Sequence, residues 1–156
     1  MEVIRGLINI KERHKGAVIT VGNFDGVHTG HRTILLEMKR KAAALQTKTL
    51  LICFEPQPRE FFDFYNAPAR LTRFKEKVEL LEELGIDMVL CLKFDDSFRE
   101  TTAERFIEIL GKDLAAQAVY VGDDSRFGQG RTGNFGHLEA ASQRYGFKVF
   151  NFETIV

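Results

Sequence analysis

Five apolar runs rich in β-branched residues recur along the chain: AVITVG (17–22), TLLICF (49–54), DMVLCLKF (87–94), QAVYVG (117–122) and FKVFNF (147–152). They are nearly continuous rather than alternating, the pattern of strands buried on both faces. Helical patterns lie between them. RTILLEMKRKAAALQ (32–46) sets Ile34, Leu35, Met38, Ala42 and Leu45 at helical spacing. RFKEKVELLEELG (73–85) starts after Thr72 and stops at Gly85. TTAERFIEILG (101–111) offers Thr101 and Glu104 as a capping box, and GHLEAASQRYG (136–146) ends in glycine. Alternation at a spacing of about thirty residues predicts an α/β fold: a doubly wound, parallel, five-stranded sheet with helices on both faces. Such sheets take ligands at the carboxyl ends of their strands, here the loops after residues 22, 54, 94 and 122.

The totals narrow the function. A chain of 156 residues fits one domain, 1–156. Lysine plus arginine equals aspartate plus glutamate, 22 each, so nothing in the net charge selects a nucleic acid or an anionic membrane as partner. No apolar run reaches the roughly 18 residues of a membrane span. The start, MEVIRGLINIKERHKG, is too charged for a secretory signal. Cys53 and Cys91 each sit in an apolar run and read as reduced core thiols. Together these predict a cytoplasmic protein. Charged helical stretches such as KEKVELLEE read as solvated faces.

VITVGNFDGVHTGH (18–31) leaves the first strand and opens the first helix. A helix start has unpaired N–H groups and partial positive charge, and phosphate is its natural occupant. Gly22, Gly26 and Gly30 allow a close backbone approach. His28 and His31, three apart, fall on one side of a helical turn and can donate to phosphate oxygens. A zinc site built on them would need further ligands, and the rest of the chain offers only His14 and His137 among histidines.

GNFDGVHTGH resembles the HxGH motif of the nucleotidyltransferase superfamily, and its Asn23-Phe24-Asp25-Gly26 lead-in resembles bacterial FAD synthetase, the FMN adenylyltransferase module of the bifunctional riboflavin kinase/FAD synthetase. FEPQPREFF (54–62), APARLTRFKEKVELLEELGID (67–87) and VGDDSRFGQGRTGN (121–134) are similar to further stretches of that family, in the same order. The resemblance implies a Rossmann-like nucleotidyltransferase fold and the reaction FMN + ATP → FAD + pyrophosphate. It implies that His28 and His31 are catalytic, and that ATP lies against Gly22, Asn23, Phe24, Asp25, Gly26, His28, Gly30 and His31. Magnesium would arrive with ATP, held by phosphates and water rather than by a protein metal site. Asn23 and Asp25 would shape the first loop and touch nucleotide or metal.

FEPQPREFFDFY gathers Phe54, Phe61, Phe62, Phe64 and Tyr65 around Pro56 and Pro58, a stiff aromatic loop suited to a flat flavin ring. The alternative is that these aromatics, Phe54 first, are simply core. The 121–134 loop brings Asp124, Arg126, Phe127, Gly128 and Arg131 toward FMN. Its arginines either contact phosphate bidentately or pair with Asp123 and Asp124 to hold the loop. Phe127 is either a core anchor or part of a flavin wall. Asp95 and Asp96, in FDDSFRETTAERF (94–106), read as loop and cap.

Two departures from the family stand out. Ser125 occupies a position where the family usually has an aromatic residue, and the chain reaches Val156 before any stretch like the family's Ser-Ser-Thr-x-Ile-Arg motif. The expectation is an adenylyltransferase domain truncated before its second phosphate-binding motif, with the riboflavin kinase module absent here and present in the full-length chain. The competing readings are another HxGH nucleotidyltransferase and a flavin- or nucleotide-binding fragment without turnover.

Overall fold

A computed structural model describes residues 1–22, 24, 29–55, 74–122 and 127–151, with the backbone alone at 29 and 30. Six strands form one sheet: β1 (Glu2–Arg5), β2 (Val18–Val21), β3 (Thr49–Glu55), β4 (Met88–Lys93), β5 (Ala118–Val121) and β6 (Lys148–Asn151). Their order is β1-β4-β3-β2-β5-β6, and every pairing is parallel. The five expected strands are all present. The expected count of five is corrected to six, because EVIR also joins the sheet, pairing Glu2 with Met88. Four residues with two charges carry no buried-strand pattern; β1 is an edge, and one neighbour suffices.

The helices are α1 (Thr29–Ala44), α2 (Phe74–Glu83), a short α3 (Asp96–Arg99), α4 (Ala103–Glu108) and α5 (Phe135–Tyr145). α1 begins three residues before the 32–46 pattern. α4 runs into a wider turn, Ile109–Asp113, where the pattern predicts one helix from 101. Its cap is Thr102, not Thr101: the Thr102 hydroxyl accepts the Arg105 N–H at 3.1 Å. Thr101 is already committed, its N–H closing α3 on the Phe98 carbonyl and its carbonyl accepting from Gln129.

Two cores sandwich the sheet, as the doubly wound reading requires. One joins Ile19, Leu50, Leu90 and Val119 to Phe106 and Ile107 of α4 and Leu138 of α5. The other joins Val18, Leu51, Cys53 and Val89 to Leu35 and Met38 of α1 and Leu81 of α2. The chain travels from β2 through β3 to β4, then crosses back to β5 on the far side of β2. Connections therefore leave β2 and β5 in opposite directions, which opens a crevice at their carboxyl ends.

Cys53 and Cys91 are opposite each other in the β3–β4 register, buried and unbridged. The Cys53 thiol donates to Cys91, which pushes Cys53 up and Cys91 down from the ordinary thiol range. Tyr120 is pushed up to about 12, chiefly by burial. No helix among the described residues is long and apolar enough to cross a membrane.

Candidate active site

Beyond the carboxyl end of β2, Phe24 takes a left-handed backbone (φ 50°), and its side chain is 6 % exposed. A Cβ at position 22 would stand 3.1 Å from the Phe24 ring, so Gly22 is what lets that ring fold back into the core. Phe24 then meets the His31 imidazole edge-on, with centroids 4.5 Å apart and planes 67° apart. His31 is the third residue of α1 and half-buried. Phe24, expected at the nucleotide, packs edge-on against the histidine at the helix start. No acidic residue occupies the first turn of α1, so that turn itself does not offset the positive end of the helix.

A cavity of about 930 Å³ occupies the crevice, within the range of small-molecule sites. Val21, Phe54 and Val121 line it from the carboxyl ends of β2, β3 and β5. Phe54 is thus neither pure core nor loop: its ring packs on Phe98 at 5.3 Å and Phe94 at 5.9 Å while facing the cavity.

The segment 127–133 forms the opposite wall. Phe127 and Gly133 exchange two backbone hydrogen bonds, of 3.2 and 2.9 Å, as an isolated antiparallel bridge. Phe127 stacks obliquely on Phe106, 5.2 Å between centroids, and also lines the cavity, so it is anchor and wall at once. Gly128 has φ 78°, and a Cβ there would lie 2.6 Å from the Ala103 backbone nitrogen. Only glycine permits this loop to lie against the start of α4. Arg131 lines the cavity, is exposed, and makes no ion pair among the described residues. Its guanidinium is thus available to an anion.

Sequence reasoning misses one wall. Asp95 caps α3 by accepting the Phe98 N–H at 2.8 Å. That cap turns Phe98 and the following Arg99 and Thr101 into the cavity. The available signal is Phe94 and Phe98, four residues apart directly after β4. Asp96, also on the rim, lies 3.6 Å from Arg99. The two other histidines stand elsewhere: His14 is buried near β1, and His137 is exposed on α5. Asn23, Asp25, Gly26, His28, Pro56, Pro58, Phe61, Phe62, Asp124 and Arg126, with Phe64, Tyr65, Asp123 and Ser125, lie outside the described residues.

A parallel sheet covered by helices on both faces, with an aromatic cavity at its carboxyl edge, defines a doubly wound α/β protein. Solved structures share the fold. One, described as a macrolide-efflux protein from Streptococcus pneumoniae, superposes with TM-score 0.77 at 20 % identity, covering 97 % of this chain and 49 % of that one. A pantothenate synthetase from Thermus thermophilus gives 0.59 at 12 %, covering 97 % and 61 %.

The sequence comparisons are more specific. A family profile described as FAD synthetase matches residues 10–156. The bifunctional riboflavin kinase/FMN adenylyltransferase of Escherichia coli (strain K12) is 44 % identical over 156 residues, 99 % of this chain and 50 % of that protein. Its Haemophilus influenzae counterpart is 46 % identical over 150 residues, 96 % of this chain and 49 % of that protein. The chain belongs to the FAD synthetase family, a family of enzymes. It spans about half the length of the curated relatives it matches.

Proposed function

We propose that the protein is an FMN adenylyltransferase acting in FAD biosynthesis, with residues 1–156 as the adenylyl-transferring unit of a chain that also carries a riboflavin kinase module. A phosphate oxygen of FMN attacks the α-phosphorus of ATP. One P–O bond forms, the bond to the β-phosphate bridge breaks, and pyrophosphate leaves with the electron pair. No covalent enzyme intermediate is needed, so the protein's work is positioning and charge stabilisation. His31 and the α1 start meet the ATP phosphates, joined in this reading by His28, Asn23, Asp25 and the glycines of their loop. Phe54, Phe98 and Phe127 wall the isoalloxazine ring, with Pro56, Pro58, Phe61, Phe62, Asp124 and Arg126 completing the flavin side. Arg131, unpaired among the described residues, is a rim cation suited to the FMN phosphate.

Magnesium fits as a passenger of the nucleotide. Among the described residues no three acidic, histidine or cysteine side chains gather into a metal site, whereas phosphates and water suffice to hold this ion. When bound, it neutralises charge on the departing pyrophosphate. A cytoplasmic setting, where ATP is made and thiols stay reduced, goes with this reading.

The observation that carries the proposal is an aromatic cavity at the carboxyl ends of β2, β3 and β5 in a member of the FAD synthetase family, whose α1 starts after β2 with His31 in its first turn. The test is incubation of the full-length protein with FMN, ATP and magnesium, following FAD and pyrophosphate. Equimolar formation of both is expected. Tight binding of FMN and ATP with no FAD would make the protein a binding module instead.

A further inference from the structure

Lys77 sits on α2 at a position that belongs to the core. Phe74, Lys77, Val78 and Leu81 fall at helical positions i, i+3, i+4 and i+7, the stripe that faces the sheet. Lys77 and Leu81 are both 0 % exposed. The Lys77 Nζ is buried, and among the described residues it has neither a hydrogen-bond partner nor a salt bridge to a carboxylate. An ammonium held this way is costly, and an apolar side chain of similar volume is commonly the more stable choice.

The surroundings indicate what offsets that cost. The positive charge of Lys77 is felt at the thiols of Cys53 and Cys91, near the carboxyl ends of β3 and β4. Glu55, the last residue of β3, is felt at the same thiols. Leu81, one turn along, packs in the same core as Phe24, which meets His31 edge-on. α1 and α2 cover the same sheet face and approach closely, Lys39 of α1 lying against Gly85 beyond the end of α2. Both helices point their N-termini at the carboxyl edge, as crossovers of a parallel sheet do. Arg5, at the carboxyl end of β1, lies over the Phe74 ring at 5.1 Å and adds a second cation at that corner. Neither Lys77 nor the exposed Arg5 is joined to a carboxylate among the described residues.

We propose that Lys77 is a buried positioning charge whose counter-ion is the phosphate group of the substrate, brought to the carboxyl edge between the starts of α1 and α2. This inference rests on the adenylyltransferase reading for the identity of the phosphates, and it adds a residue that does not itself touch them. It acts through the low-dielectric layer formed by Phe24 and the ends of β3 and β4, where charge is poorly screened.

The proposal makes stability and affinity move in opposite directions. In the full-length protein, Lys77→Met is expected to raise the melting temperature. By calorimetry it is expected to weaken ATP binding about tenfold and AMP binding only about threefold, the loss growing with ligand charge. Comparing FMN with riboflavin in the same variant separates the two sources of phosphate: a loss for FMN alone assigns the flavin phosphate, and a loss for ATP alone assigns the nucleotide. Lys77→Gln, which removes the charge and keeps polarity, is expected to reproduce the graded loss. A variant that melts lower or fails to fold would mean that the ammonium has a structural partner, and the proposal falls. Unchanged affinities, or equal losses for AMP, ATP and riboflavin, overturn it as well. None of these readings uses FAD formation, so failure of the enzymatic reading and failure of this one are told apart.

Discussion

Two buried basic side chains, one toward the amino edge of the sheet and one beneath its carboxyl edge, are treated in opposite ways. Near the start of β1, His14 is 1 % exposed, and its Nδ1 accepts the Lys11 backbone N–H at 2.8 Å. Its Nε2 stands 2.9 Å from the Glu2 carboxylate. Arg13 closes the other side of Glu2 at 2.7 Å. Beneath the carboxyl edge, Lys77 is equally buried and meets no such set of partners among the described residues. Around His14 the buried ring lies against groups of its own chain, the Lys11 N–H and the Glu2 carboxylate, which is what a structural tie requires. Around Lys77 no carboxylate among the described residues plays that part. Burial of a polar group does not by itself mark function; what charge stands against it has to be read as well.

The largest expected effect falls on the open side. His31→Ala in the full-length protein should lower FAD turnover by about 10²-fold, as loss of one preorganised donor does, with FMN affinity and melting temperature nearly unchanged. Turnover within about twofold of the parent would remove His31 from the mechanism and weaken the contrast between the two regions.

The cavity wall comes next. Phe98→Ala should weaken FMN binding by about tenfold, the loss expected when a large aromatic contact of about 1.4 kcal/mol disappears, while ATP binding holds. Equal losses for both ligands, measured by calorimetry, would make the Phe54–Phe94–Phe98 cluster a structural one.

On the closed side the expected effects are on stability alone. His14→Ala leaves the Lys11 N–H and the Glu2 carboxylate without a buried partner and should cost about 2 kcal/mol in chemical denaturation, with turnover unaffected. A fall in turnover larger than the fall in folded fraction would break the division between the regions.

The smallest effect concerns pH. Hydrogen bonds from Arg13 and then His14 hold the Glu2 carboxyl down at about 2 from an ordinary value of 4.5. A depressed folded value means stability that is present above about pH 4.5 and is lost as pH falls toward 2. Since Glu2 lies at the surface, solvent screens the effect, and it should be a shallow slope in that window. Glu2→Gln should flatten that slope; an unaltered acid profile would mean that other carboxylates govern it.

How much is legible before folding varies by element. The buried runs at 49–54 and 117–122 are readable because a central parallel strand is apolar on both faces whatever its neighbours are. The His31 helix start is readable for a local reason too: glycines, a helix stripe and histidines lie within one short stretch. The cap at Thr102 is displaced by one residue from its expected place. Two adjacent threonines offer the same hydroxyl, and the choice depends on Gln129, 28 positions from Thr101, taking the Thr101 carbonyl.

Lys77 reads as part of a solvated charged face and is instead fully buried. The charged run around it, KEKVELLEE, hides the fact that one lysine falls on the apolar stripe. The wall built by Phe94 and Phe98 is hidden likewise, since FDDSFRE has the composition of a surface loop.

Local patterns, a few residues long and repeated in order, are enough to settle the class of fold, the parallel sense of the sheet and the family. They are not enough to settle that EVIR pairs with Met88–Cys91, that Phe54, Phe98 and Phe127 line one cavity, or that a lysine is sealed against the sheet with no partner among the described residues. Those outcomes exist only in the folded chain, because they depend on contacts between segments far apart along it. Their free energies come from burial and pairing that no single segment possesses on its own.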